Sequence, residues 1–169
     1  PLMTHLKKQN PALKTVAEQA DWKDYGFTYL KNAGVDRVFG FGLQQAILSF
    51  DKQNLIKNAD TILAQCPKGK EQIIFIENHD LDRFASIEPN KEKQKLAASL
   101  MLLIGGIPSI YYGQEIGMLG KNGNYGGTDG NDIPRRTAFK WNKSYEGNGM
   151  ATWYRNVSAG WNNDNLKVN

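Results

Sequence analysis

The sequence predicts an α/β fold with a parallel sheet, and three observations carry that expectation. Short apolar runs alternate with helical stripes four times along the chain, which is the pattern of repeated βαβ units. One run, Gln72–Ile76, is nearly continuous in β-branched and aromatic residues, as a strand buried on both faces requires. After Gly113 the periodicity stops and Gly, Asn and Asp take over, so the ordered units end there.

Taken in order, Leu2–Gln9 reads as the last turns of a helix, ended by Asn10-Pro11, because the residue before proline is pushed out of the helical region. Ala12–Ala17 reads as a short buried strand that ends at Glu18. Asp21–Asn32, with Trp22, Tyr25, Tyr29 and Leu30, fits a helix or an irregular connection, and Val35–Phe39 fits a second strand. Leu43–Ala64 carries apolar residues at helical spacing with a break near Asp51–Asn54. Pro67-Lys68-Gly69 is a turn. After the strand at Gln72–Ile76, Lys91–Ile104 is the clearest helix, charged at its start and closed by Gly105-Gly106. Ile107–Tyr112 is a last strand. Residues 117–130 form a long glycine-rich loop, and irregular structure follows from Arg135.

The composition excludes several function classes. The 21 basic and 17 acidic residues leave a net charge of +4 with no long run of one sign, which gives no footprint for nucleic acid. No apolar run approaches the roughly 20 residues that span a bilayer. Cys66 is the single cysteine, so it reads as an inert thiol rather than half of a disulfide. His5 and His79 are the only histidines, too few and too far apart for a histidine zinc site. No Gly-x-Gly-x-x-Gly joins a strand to a helix, which removes the nucleotide-binding reading.

Parallel α/β architectures place chemistry on the loops after the strands. That rule selects Glu18–Trp22, Gly40–Gly42, Glu77–Asp80 and Tyr111–Glu115. Carboxyl groups from neighbouring strands suit glycosidic bond cleavage, where one protonates the leaving oxygen and another stabilises the oxocarbenium-like centre. The same acids also serve as helix caps or salt-bridge partners, and the pattern by itself leaves both readings open.

Phe75-Ile76-Glu77-Asn78-His79-Asp80 resembles a signature segment of the α-amylase family of glycoside hydrolases, in which a strand ends in Asn-His-Asp. Val16–Trp22 is similar to that family's preceding Gly-Glu segment, with Ala17 in place of the glycine and Gln19-Ala20 lengthening the step from acid to tryptophan. Asp36–Phe41 is similar to its sixth-strand segment, Ile107–Met118 to its eighth, and Asn131–Arg136 to the Asp-Pro-x-x-Arg segment beyond. The resemblance covers roughly residues 1–142. It implies a partial (β/α)8 barrel of about strands 5 to 8, with residues 143–169 as the lead-in to an eighth helix. It implies that the N-terminal half-barrel and a terminal β-sandwich lie outside the chain.

By the same resemblance, Glu18 is the general acid/base and Asp80 the acid that stabilises the transition state. His79 donates to the sugar beside the cleaved bond, Trp22 lines the site, and Asp132 with Arg136 grips the far hydroxyls of that sugar. A salt bridge that merely braces the loop is the alternative for the last pair. The substrates implied are starch and maltooligosaccharides. The nucleophilic Asp of the retaining reaction belongs to an Arg-x-Asp segment that this chain lacks, so the chain is expected to be inactive alone. It is expected to hold no cofactor, with Ca2+ possible in a longer parent protein, and to associate through exposed sheet edges. A secreted or periplasmic parent is favoured. An α-glucosyl transferase or isomerase of the family, or a non-catalytic carbohydrate-binding relic, are the competing readings.

Overall fold

The computed structural model describes residues 2–123, 129–139 and 141; the expected lead-in at 143–169 lies outside them. The chain divides into two compact units. One takes its described residues from Pro1–Ile76 and Leu96–Ser109, the other from Glu77–Lys95 and Ile110–Asn169.

The first unit holds the sheet. Strands β1 (Val16–Ala17), β2 (Arg37–Phe39), β3 (Glu71–Ile74) and β4 (Ile107–Pro108) pair in sequence order, all parallel. Helix α1 (Leu2–Gln9) precedes β1, while α2 (Phe41–Ser49) and α3 (Lys52–Gln65) connect β2 to β3. In the second unit α4 (Phe84–Ile87) is a single turn; α5 (Lys91–Leu103) begins in the second unit, continues into the first from Leu96, and precedes β4 in sequence. The parallel sheet of βα units expected from the pattern is therefore present.

The break between α2 and α3 has a local cause. Phe50 adopts φ 51°, a left-handed conformation that ends α2. Asp51 then caps α3 by accepting from the Asn54 amide at 2.8 Å, which satisfies one of the free donors of a helix start.

Several boundaries differ from the sequence reading. Of the two readings for Asp21–Asn32, the irregular connection is the one present: turns lead into one wide turn, Tyr29–Ala33, because its aromatics serve packing rather than helical periodicity. Phe27 and Leu30 instead form a buried cluster with Val35 and Val38. Gly26 makes that packing possible: it sits at φ 68°, and a Cβ there would lie 2.6 Å from the Val38 side chain. The first strand shrinks to two residues, and Val16 is 49% exposed rather than buried, since β1 pairs on one side only among the described residues. The last strand shrinks likewise. Pro108 has no N–H to extend the ladder, and after the Ser109 amide bonds Ile74 O at 2.7 Å the strand ends. β2 and β3 lie close to their sequence readings, and Gln72–Ile76 is buried throughout.

Asp36, at the N-terminal end of β2, is the buried charge of this unit. Its carboxylate accepts from Lys7 Nζ and from both the amide and hydroxyl of Thr15, each of the latter at 2.9 Å. Lys70 Nζ stands 3.9 Å away. Burial pushes the carboxyl up, but the Lys7 ammonium and the Thr15 donors outweigh it and hold the group well below the usual carboxylate range.

Candidate active site

In the first unit, β1 exits into Glu18, which is exposed. The following turn is fixed by Asp21, whose carboxylate accepts from the amides of Lys23 and Asp24 at 2.8 and 3.2 Å. That turn delivers Trp22, half-buried, edge-on to Phe41 at 4.8 Å, and Phe41 in turn meets Phe75 at 5.1 Å. An aromatic ladder thus ties the exit of β1 to the exits of β2 and β3. Tyr25 anchors the far end of the turn: it adopts φ 53°, its hydroxyl donates to Asn58 Oδ1, and its carbonyl accepts from Gln72 Nε2.

The second unit begins where β3's chain leaves the sheet. Asn78 Oδ1 accepts from the amides of Asp80 and Leu81 at 2.9 and 3.0 Å, a side-chain turn that sets the direction of Asp80. Asp80 is half-exposed. Its Oδ1 receives Arg136 Nη2 at 2.6 Å, and its Oδ2 lies 3.3 Å from His79 Nε2. Arg136 is shared: Nη2 also reaches Asp132 Oδ2 at 2.7 Å, and Nε donates to the His79 carbonyl at 3.0 Å. Arg135 Nη1 donates to the Asp80 carbonyl at 2.6 Å, while its Nη2 pairs with the other Asp132 oxygen.

Behind this cluster Glu77 is buried, and accepts from Arg83 Nη1 at 3.0 Å and from the Phe84 amide. Burial pushes the Glu77 carboxyl up, against the opposing pull of the Phe84 amide and of Arg83. Gly120 fits the same layer. Its carbonyl accepts from the Arg83 amide and its amide donates to Ser86 Oγ, each at 2.8 Å, and a Cβ there would collide with the Pro134 carbonyl.

The structure therefore brings His79, Asp80, Asp132 and Arg136 into one hydrogen-bonded cluster in the second unit. It places Glu18 and Trp22 at the exit of β1 in the first. Sequence reasoning gave no role to Asn78, Arg83 and Arg135; the doubled arginine at 135–136 was the visible signal for the last. Among the described residues no group of three or more His, Cys, Asp or Glu side chains is placed to hold a metal ion. The residues of this cluster do not fit a Ca2+ site by themselves.

Chemically, the second-unit cluster offers a carboxylate, an imidazole and a guanidinium side by side, half-open to solvent. A fork of this kind holds vicinal hydroxyls through fixed, charge-assisted hydrogen bonds. The family model described as "Alpha amylase, catalytic domain" matches residues 7–168. The chain belongs to the alpha-amylase family. Among relatives of that kind, Alpha-amylase SusG of Bacteroides thetaiotaomicron is 31% identical over 126 residues, which is 74% of this chain and 16% of the relative. A 4-alpha-glucanotransferase of Thermotoga maritima is 34% identical over 97 residues, covering 50% of this chain and 21% of the relative. The solved alpha-amylase from H. orenii superposes with TM-score 0.76 at 25% identity, over 98% of this chain and 33% of its own. The four parallel strands and their helices are accordingly part of a (β/α)8 barrel. The chain spans between 9% and 21% of the length of the curated relatives it matches.

Proposed function

We propose that these residues serve a retaining glycoside hydrolase that cleaves α-glucosidic bonds in starch or maltooligosaccharides. The observation that carries the reading is Arg136, whose guanidinium joins Asp80 to Asp132 beside His79. In the reaction Glu18 protonates the leaving oxygen and later takes a proton from water, and Asp80 stabilises the oxocarbenium-like transition state. His79, Asp132 and Arg136 hold the hydroxyls of the sugar at the cleaved bond, and Trp22 lines the site. The nucleophilic carboxylate comes from an Arg-x-Asp segment outside these 169 residues, so the chain alone is inactive on starch.

The test is Glu18→Gln and Asp80→Asn in the full protein that carries this chain, assayed on maltooligosaccharides. Each lowers kcat by about 1,000-fold or more while KM stays within a few-fold, as expected of groups that act in the transition state. Near-wild-type turnover rejects the assignment. A second reading, glucosyl transfer to another sugar, is favoured by the relative named a 4-alpha-glucanotransferase; water and an acceptor hydroxyl compete for the same glycosyl-enzyme. Chromatography of the products separates the two, since transfer lengthens some chains as it shortens others.

Two further parts belong to this proposal. A polymeric α-glucan does not cross a membrane, which favours a secreted or periplasmic parent, and no described helix is long and apolar enough to span one. The chain by itself associates: β1 and β4 each pair on one side only among the described residues, and unpaired edges recruit further strands. Light scattering after size exclusion that shows a clean monomer rejects this last point.

A further inference from the structure

The strongest feature outside the residues assigned above is Arg83. Its side chain is fully buried, with 0% exposure, and its partner Glu77 is 2% exposed. A buried ion pair costs desolvation that its attraction only partly recovers, and well-packed apolar residues often match it in stability. What apolar residues cannot supply is a set of directional bonds, and Arg83 makes several. Nε donates to the Arg135 carbonyl at 3.0 Å, and Nη1 donates to Glu77 Oε1 at 3.0 Å and to the Tyr112 carbonyl at 2.5 Å. The guanidinium carbon lies 3.9 Å from the centre of the Tyr111 ring and 4.7 Å from that of Tyr112, within the range of cation–π attraction. The Tyr111 hydroxyl donates to the same Arg135 carbonyl, at 3.3 Å.

We propose that Arg83, held by Glu77, is a positioning residue that fixes the 132–136 turn against the backbone of His79 and Asp80. The inference rests on the catalytic reading above and deepens it. The path is continuous within the second unit. Arg83 holds the Arg135 carbonyl; Arg135 holds the Asp80 carbonyl and Asp132; Arg136 then reaches the His79 carbonyl, Asp132 and the Asp80 carboxylate. Arg83 has no exposed surface with which to touch a sugar, so its influence passes through these neighbours. The carbonyl and one carboxylate oxygen of Asp80 are thereby held by Arg135 and Arg136, and Arg83 holds the backbone of Arg135. Catalytic geometry is sensitive to such support, because a misplacement of about 1 Å costs on the order of 100-fold in rate.

The experiment uses the full protein carrying this chain, assayed on maltooligosaccharides across pH. Arg83→Lys keeps the charge opposite Glu77 but loses the donor to Arg135 and the flat face against Tyr111. It lowers kcat by about 10- to 100-fold with KM changed less than about 3-fold. A wild-type kcat and pH profile overturns the proposal. If Arg83→Lys does not fold, Glu77→Gln decides. It preserves the shape of the pair and removes the carboxylate charge that holds Arg83 in place. The turn at 132–136 then loses its fixed support, and kcat falls by about 10-fold or more with KM changed less than about 3-fold. An unchanged kcat overturns the proposal. The underlying reading fails separately: active Glu18→Gln and Asp80→Asn proteins, or an inactive wild type, remove the catalytic assignment and this inference with it. Loss of activity in both, beside a wild-type-like Arg83→Lys, removes the inference alone.

Discussion

Asp36 and Asp80 are both acids at strand ends with a cationic side chain within hydrogen-bonding distance, yet they do different work. Asp36 precedes β2, is buried, and has its carboxylate filled by Lys7 and Thr15. Nothing is left over for a ligand. Asp80 follows β3, keeps 50% of its side chain exposed, and shares its oxygens with Arg136 and His79. The comparison matches the division of labour in (β/α)8 barrels, where the N-terminal ends of strands serve stability and the C-terminal ends serve chemistry. Charge pairing by itself does not mark a site. The exposure that remains after pairing leaves Asp80 open to a ligand, as Asp36 is not.

The sharpest way to break that contrast is to remove each charge in turn. Asp80→Asn in the full protein lowers turnover by about 1,000-fold or more, yet moves the urea midpoint little. An exposed pair of this kind contributes about 0–1 kcal/mol. Asp36→Asn does the reverse. It removes one partner of a mostly buried pair, a change worth about 2 kcal/mol here because Lys7 retains some exposure, while kcat per folded molecule is unchanged. Urea unfolding and initial rates on the same samples check both, and a matched loss of stability for the two variants contradicts the distinction.

A smaller effect appears with pH. Asp36's carboxyl lies below its ordinary value in the folded state, so the folded protein binds that proton less readily than the unfolded chain. Its contribution is fully present above the ordinary aspartate value, near pH 4, and is lost as pH falls towards the depressed folded value. Wild-type stability therefore declines below about pH 4, and Asp36→Asn flattens that decline. Urea midpoints measured between about pH 3 and 7 decide it; parallel curves for the two proteins refute the assignment.

Much of this was legible in the sequence, for identifiable reasons. The Gln72–Ile76 run is buried on both faces, and such a strand announces itself through composition alone. His79, Asp80, Asp132 and Arg136 were named because the chain repeats the order of the family's segments, and the structure brings the four together. Edges were harder to read. β1 and β4 are two residues each, too short to impose a period, and Leu13 before β1, like Ile110, Tyr111 and Tyr112 after β4, makes each read as a longer strand than it forms. The supporting layer of Asn78, Arg83 and Arg135 was also missed. Arg83 lies in a loop by pattern, and a lone arginine in a loop reads as solvated surface. Only the fold shows it buried against Glu77, Tyr111 and Tyr112.

The central claim is that a carboxylic acid at the exit of β1 donates the proton that frees the leaving sugar. The most direct measurement compares Glu18→Gln with wild type, in the full protein, on a maltooligosaccharide and on α-maltosyl fluoride. Fluoride departs with little help from a proton donor, whereas a sugar alkoxide does not. The account predicts a loss of about 1,000-fold or more on the oligosaccharide and a loss at least tenfold smaller on the fluoride. Equal losses on the two substrates would contradict it.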